Sequence, residues 1–215
     1  ATTHSINAPV RKVSANGQIG TPFGFIGDAL SVAQPGQIVR IVGNGGADGD
    51  IKTTNDNLPY EIGLNTSNQA LADGSSLEVP KGVTVMIDAG AVFKLRRSWL
   101  GAGSSTTSVD RSGNALQVLG VPGNQVIFTS WNDETIGTDT TSTPTNAQQG
   151  DWGGIIFRNE IDRAQNRFNP ENEGIFLNYV SNADIRWGGG TVTIDTATQT
   201  INPIHMERSQ PTIVN

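Results

Sequence analysis

The chain has 215 residues, 35% of them hydrophobic, no Cys, and a formal net charge of −6. The acidic balance argues against nucleic acid, whose phosphates are held by clustered Lys and Arg; the missing Cys removes disulfides, thiolate catalysis and Cys-based metal sites; and no apolar run approaches the roughly 20 residues of a membrane helix. Gly accounts for 26 residues, about 12% against roughly 7% on average, a composition that favours many short strands and turns over long helices.

Residues 1–22 carry little periodicity and read as an extended arm or linker, leaving 23–215 as one folded unit. Phe25, Ile26, Ala29, Leu30 and Ala33 fall at helical spacing, which predicts a short amphipathic helix over 25–33. Pro35 and Gly36 stop it, and Ile38–Val42 follows as a strand. The segment 44–76 reads as a polar loop. From there short apolar strands arrive in succession: Ser76–Val79, Val83–Ile87, Ala91–Leu95, Leu116–Leu119, Val126–Thr129, Ile155–Phe157, Ile175–Val180, Ala183–Trp187, Thr191–Ile194, Ile204–Met206 and Thr212–Val214. Gly, Pro, Asn or Asp separates them. The basic spot Lys94–Arg97 reads as a solvated strand end. Two insertions, 133–150 (Thr-rich) and 159–174 (charged), read as surface loops, where function is often carried. A sandwich or barrel would also give many short strands. The shortness of the strands and their weak in/out alternation favour stacked parallel strands.

Three stretches, "VPKGVTVMIDAGAVFKL" (79–95), "LQVLGVPGNQVIFTSWND" (116–133) and "GDWGGIIF" (150–157), together resemble the opening coils of right-handed parallel β-helix proteins, the pectate-lyase-like superfamily in the broad sense. The likeness is greatest to the non-enzymatic repeats of large bacterial cell-surface proteins. The resemblance implies an all-β solenoid with a short N-terminal capping helix and inserted surface loops. It also implies an extracellular or cell-surface structural or adhesive module, and the Cys-free, acidic, Gly-, Thr- and Asn-rich composition fits that setting. In "GDWGG", Gly150, Gly153 and Gly154 would allow sharp turns between sheets, Asp151 would bond turn amides, and Trp152 would cover the coil corner. The ending "PTIVN" reads as a strand start. The chain is therefore expected to continue in a longer β-helix, to be capped by another chain, or to associate end to end.

The chemistry legible in the sequence is sparse. There is no G-x-S-x-G, H-E-x-x-H or P-loop, and His4 and His205 are the only His residues. The loop "GNGGADGDI" (43–51) nearly matches a calcium-binding nonapeptide, and Asp48, Asp50, Asn55 and Asp56 make an oxygen-rich candidate site for Ca²⁺, set against a solvated acidic turn. The alternative to a structural module is a polysaccharide-cleaving lyase or hydrolase of the pectate-lyase-like type. Its candidate residues are Asp184 and Arg186, two apart on a strand and so on one face, with Glu207 from a later coil; an outward salt-bridge ladder is the competing reading. A glycan is the external partner either reading admits.

Overall fold

The computed structural model describes residues 23–43, 58–137, 141 and 143–215, and the backbone of 10–13. The described chain is predominantly β, built on parallel sheets with two short α-helices. The first sheet stacks β1 (Val10–Val13), β2 (Ile38–Ile41), β5 (Thr84–Asp88), β8 (Ala115–Leu119), β11 (Tyr179–Ser181) and β16 (Thr212–Val214) in that spatial order. The second stacks β3 (Tyr60–Gly63), β6 (Val92–Arg96), β9 (Val126–Ser130) and β12 (Ala183–Ile185), and the third β4 (Leu77–Glu78), β7 (Leu100–Ala102), β10 (Ile155–Arg158) and β15 (Ile204–Glu207). From β2 onward the chain visits first, second and third sheet in turn, four times over, each strand landing one place further along its sheet. An antiparallel hairpin, β13 (Thr191–Ile194) and β14 (Ala197–Thr200), leaves the fourth pass between β12 and β15.

Register explains why such short strands hold. Parallel pairing places equivalent residues of successive passes opposite each other, so like meets like in the interior: Val39 on Val85 on Leu116, Ile41 on Ile87 on Val118 on Val180, and Leu77 on Leu100 on Ile155 on Ile204. On the second sheet Tyr60, Phe93 and Phe128 align, with ring centroids 5.2 and 5.0 Å apart, and Trp152 continues the column 6.4 Å beyond Phe128. All four rings are buried within one continuous apolar core. Helix α1 (Ile26–Val32) adds Ile26 and Ala29 to that core. Among the described residues no helix is long and apolar enough to cross a membrane.

The sequence expectations fail at identifiable places. The polar segment 44–76 contains β3, whose Tyr60 and Ile62 point inward. Strand β7 is three residues long with Gly at its centre, and β14 has no apolar residue except Ala197, so neither announces itself. The strand expected over Ile175–Val180 shrinks to β11, with Ile175 and Phe176 exposed, because neither aligns with an apolar residue of the previous pass. The charged insertion 159–174 is helical in part, holding α2 (Glu160–Ala164) and a 3₁₀ turn, Pro170–Glu173. Lys94 is fully buried rather than solvated; it lies in register between Glu61 and Thr129 on the second sheet. The arm proposed for 1–22 contains β1, which pairs with β2; the remainder of it lies outside the described residues.

One buried carboxylate ties α1 to the sheets. Asp73 accepts hydrogen bonds from the amides of Ile26 (2.9 Å) and Glu61 (2.8 Å). Burial pushes its pKa up to about 6, against the opposing pull of those two hydrogen bonds. The folded chain then keeps a proton between about pH 4 and 6 that the unfolded chain has released, so stability falls as pH rises through that window. The contribution amounts to about 2–3 kcal/mol lost by pH 7. Urea unfolding of wild type and Asp73→Asn at several pH values is expected to show this slope in the wild type only.

Candidate functional site

The links from the second sheet to the third differ greatly in length, and that difference shapes the surface. Three of them are long: 64–76 in the first pass, 131–154 in the third, and 186–203 in the fourth, which carries the hairpin. The second-pass link, 97–99, has only three residues. Long links on either side of a short one leave a hollow above it.

Arg96 and Arg97 form its floor. Arg97 turns the corner with φ +49°, the left-handed region that side chains other than Gly, Asn and Asp seldom adopt. Its amide donates to the Asp151 carbonyl (2.8 Å) and its Nη1 to Asn68 Oδ1 (3.0 Å). Arg96 Nη1 donates to the carbonyls of Leu64 and Asn65, both at 2.8 Å. The walls come from Asn132 and Gln149–Asp151 of the third pass and Gly189–Thr191 of the fourth, around an open cavity of about 490 Å³. A second hollow of about 400 Å³ shares Arg97 and Thr191 with it and extends to Ser75, Trp99 and Val192 under the hairpin. The hairpin is held by its inner face: Val192 and Ile194 pack with Ile201, Ile156 and Trp99. Its outer face carries Thr191 and Thr193 hydrogen-bonded to Thr200 and Thr198.

The "GDWGG" stretch builds the far wall. Trp152 is fully buried at the end of the aromatic column, and its Nε1 donates to the Arg186 carbonyl (2.8 Å). Asp151 Oδ2 accepts from Ser130 Oγ, Asn132 Nδ2 (3.2 Å) and the Gln148 amide (3.0 Å). Gly150 has φ +86°, and a Cβ at Gly190 would stand 2.1 Å from the Gly150 carbonyl oxygen. Backbone must therefore meet backbone there. Gly153 and Gly154 lead straight into β10.

The residues singled out for catalysis do not converge. Asp184, on the second sheet, pairs with Arg186 at 2.6 Å. Glu207, on the third sheet, pairs with Arg158 (3.6 Å) and His205 (3.4 Å). Asp48, Asp50, Asn55 and Asp56 lie outside the described residues; among the described residues no group of three or more acidic or His side chains is placed to hold a metal ion. The cavity residues Arg96, Arg97, Asn132, Gln149 and Thr191 escape a sequence reading because three different passes supply them. The available signal is two adjacent Arg residues followed by an unusually short link.

A second polar cluster crosses the third sheet. Glu78 on β4 faces Arg158 on β10 (3.6 Å), with Arg111 3.7 Å from the same carboxylate and Trp99 Nε1 donating to it. The Arg158 side chain is only 2% exposed. Comparison with protein-family models, with curated proteins and with solved structures gives no match to this chain.

Proposed function

We propose that the chain is a right-handed parallel β-helix serving as an extracellular structural or adhesive module, acting through assembly or surface binding. The observation that carries this reading is the repeated order of sheets, with each strand registered on its equivalent in the neighbouring pass. Parallel strands joined by such crossovers are right-handed in the great majority of cases, and α1 seated on the core fits a capping helix. An extracellular setting is supported by composition alone. A polysaccharide-cleaving activity would rest on Asp184, Arg186 and Glu207, whose side chains are engaged in ion pairs on two different sheets.

Passing the protein over immobilised extracellular polysaccharides, and scoring both retention and chain shortening, tests the choice. Retention without shortening is the expected result. Shortening that disappears in Asp184→Ala would overturn the reading in favour of the enzyme. Negative-stain electron microscopy with calcium and with chelator tests the assembly arm: regular filaments are its positive result, and dispersed particles under both conditions leave surface binding as the mode of action.

A further inference from the structure

We infer that the corner cavity over Arg96 and Arg97 is an oxyanion-binding site, taking a carboxylate or sulfate group borne by a small polar molecule. The inference stands on the cavity and holds whether or not the module is adhesive.

Charge is the first ground. In a chain of net charge −6, two adjacent Arg residues line one cavity, and among the described residues neither makes an ion pair with a carboxylate. By contrast Arg40, Lys81, Arg158, Arg167 and Arg186 each lie within 4 Å of one. The nearest candidate counter-charge, Asp151, has one carboxylate oxygen taken up by Ser130, Asn132 and the Gln148 amide. Burial and then Arg97 depress the Arg96 pKa, with Asp151 offsetting them in part. An anion between the two guanidiniums would relieve that repulsion.

Geometry is the second. The neutral hydrogen bonds to Leu64, Asn65 and Asn68 each use one Nη1, so both forks are positioned without being neutralised. A positive φ at a residue as large as Arg97 costs energy that Gly or Asn would avoid, as it also does at the strand ends occupied by Trp187 and Arg208. A cavity of about 490 Å³ lies within the range of small-molecule sites. Gln149 adds an amide to the lining, beside Asn132 and Thr191, whose amide and hydroxyl are also bonded to Asp151 and Thr200.

The test is titration of the whole chain with sodium sulfate, sodium glucuronate and glucose at constant ionic strength, following the amide resonances of Gly150, Gly189 and Gly190. Sulfate and glucuronate are expected to shift them saturably and glucose is not. Arg97→Asn, which suits the left-handed backbone, is expected to weaken binding at least about tenfold, and Arg97→Glu to abolish it. The thermal midpoint of Arg97→Asn should match or exceed that of wild type, separating loss of binding from loss of fold. Glucuronate binding several-fold more tightly than sulfate would identify an anion carried on a hydroxylated molecule; equal affinities would identify a free-oxyanion site. No saturable shift, shifts unchanged by Arg97→Asn, or glucose acting as strongly as glucuronate would each overturn the inference.

Discussion

Phe93→Ala is expected to lower the unfolding free energy by about 4 kcal/mol, the range for deleting a buried aromatic ring from a core that cannot collapse around the gap. Phe93 is fully buried and sits between Tyr60 and Phe128, 5.2 and 5.0 Å away by ring centroid, so truncation removes both ring contacts at once. Each such contact adds roughly 0.5–1.5 kcal/mol beyond area burial. The backbone has little freedom to close the void, because β6 is hydrogen-bonded to β3 on one side and β9 on the other. Against a usual total of about 5–15 kcal/mol, a loss of this size brings the domain near its limit. Urea unfolding measures it directly. Phe168→Ala serves as the control: that ring is 66% exposed, and its loss should change stability by no more than about 0.5 kcal/mol. A cost for Phe93 close to that of Phe168 would mean that the column is not a continuous core.

What could be read from the sequence follows the same physics. Strands with several inward apolar side chains, such as β5, β8 and β9, were legible because their burial is written in consecutive Val, Ile, Leu and Phe residues. Strands that take their stability from neighbours were not. Leu100 contributes to β7 because it aligns with Leu77 and Ile155, a fact about two other passes rather than about "LGA" itself. Lys94 was misread for a related reason: its charge predicts solvent, and only the tertiary structure reveals that it is covered. The cavity was further from reach still, since it depends on unequal link lengths at one corner and collects residues from 96 to 191. Asp184 lies on β12, within the strand expected over Ala183–Trp187, and Glu207 ends β15 one residue beyond the strand expected over Ile204–Met206, but strand position alone does not say which sheet a residue faces from. Asp184 and Glu207 ended on different sheets.

Arg158→Ala is expected to cost about 3–5 kcal/mol, the usual penalty for removing one partner of a buried ion pair. The reason lies in a strand that has no side chain at its centre. Glu78 and Arg158 belong to β4 and β10, which are separated by β7, and they meet across Gly101: a Cβ there would lie 2.7 Å from Glu78 Oε2 and 3.0 Å from Arg158 Nη1. The pair therefore clamps three passes together, with Glu207 of the fourth 3.6 Å from Arg158 Nε. The contacts are electrostatic more than hydrogen-bonded, since Glu78 Oε2 and both terminal nitrogens of Arg158 are buried without a hydrogen-bond partner among the described residues. Such a pair is expected to favour one register at some expense in desolvation. Two consequences separate this account from simple packing. The double variant Glu78→Gln/Arg158→Met keeps volume and removes both charges, so it should be within about 1–2 kcal/mol of wild type and clearly more stable than Arg158→Ala. Gly101→Ala should instead be damaging in the wild type, where it strikes the carboxylate, and still more so than any surface Gly→Ala change. Unfolding free energies of the four proteins, measured at low and at 1 M salt, decide the matter. Because buried charges are poorly screened, the penalty of Arg158→Ala should persist at high salt. A double variant no better than Arg158→Ala would assign Arg158 to packing and leave register to the apolar columns alone, whereas a penalty that vanished at 1 M salt would mean that the pair is screened by solvent rather than buried.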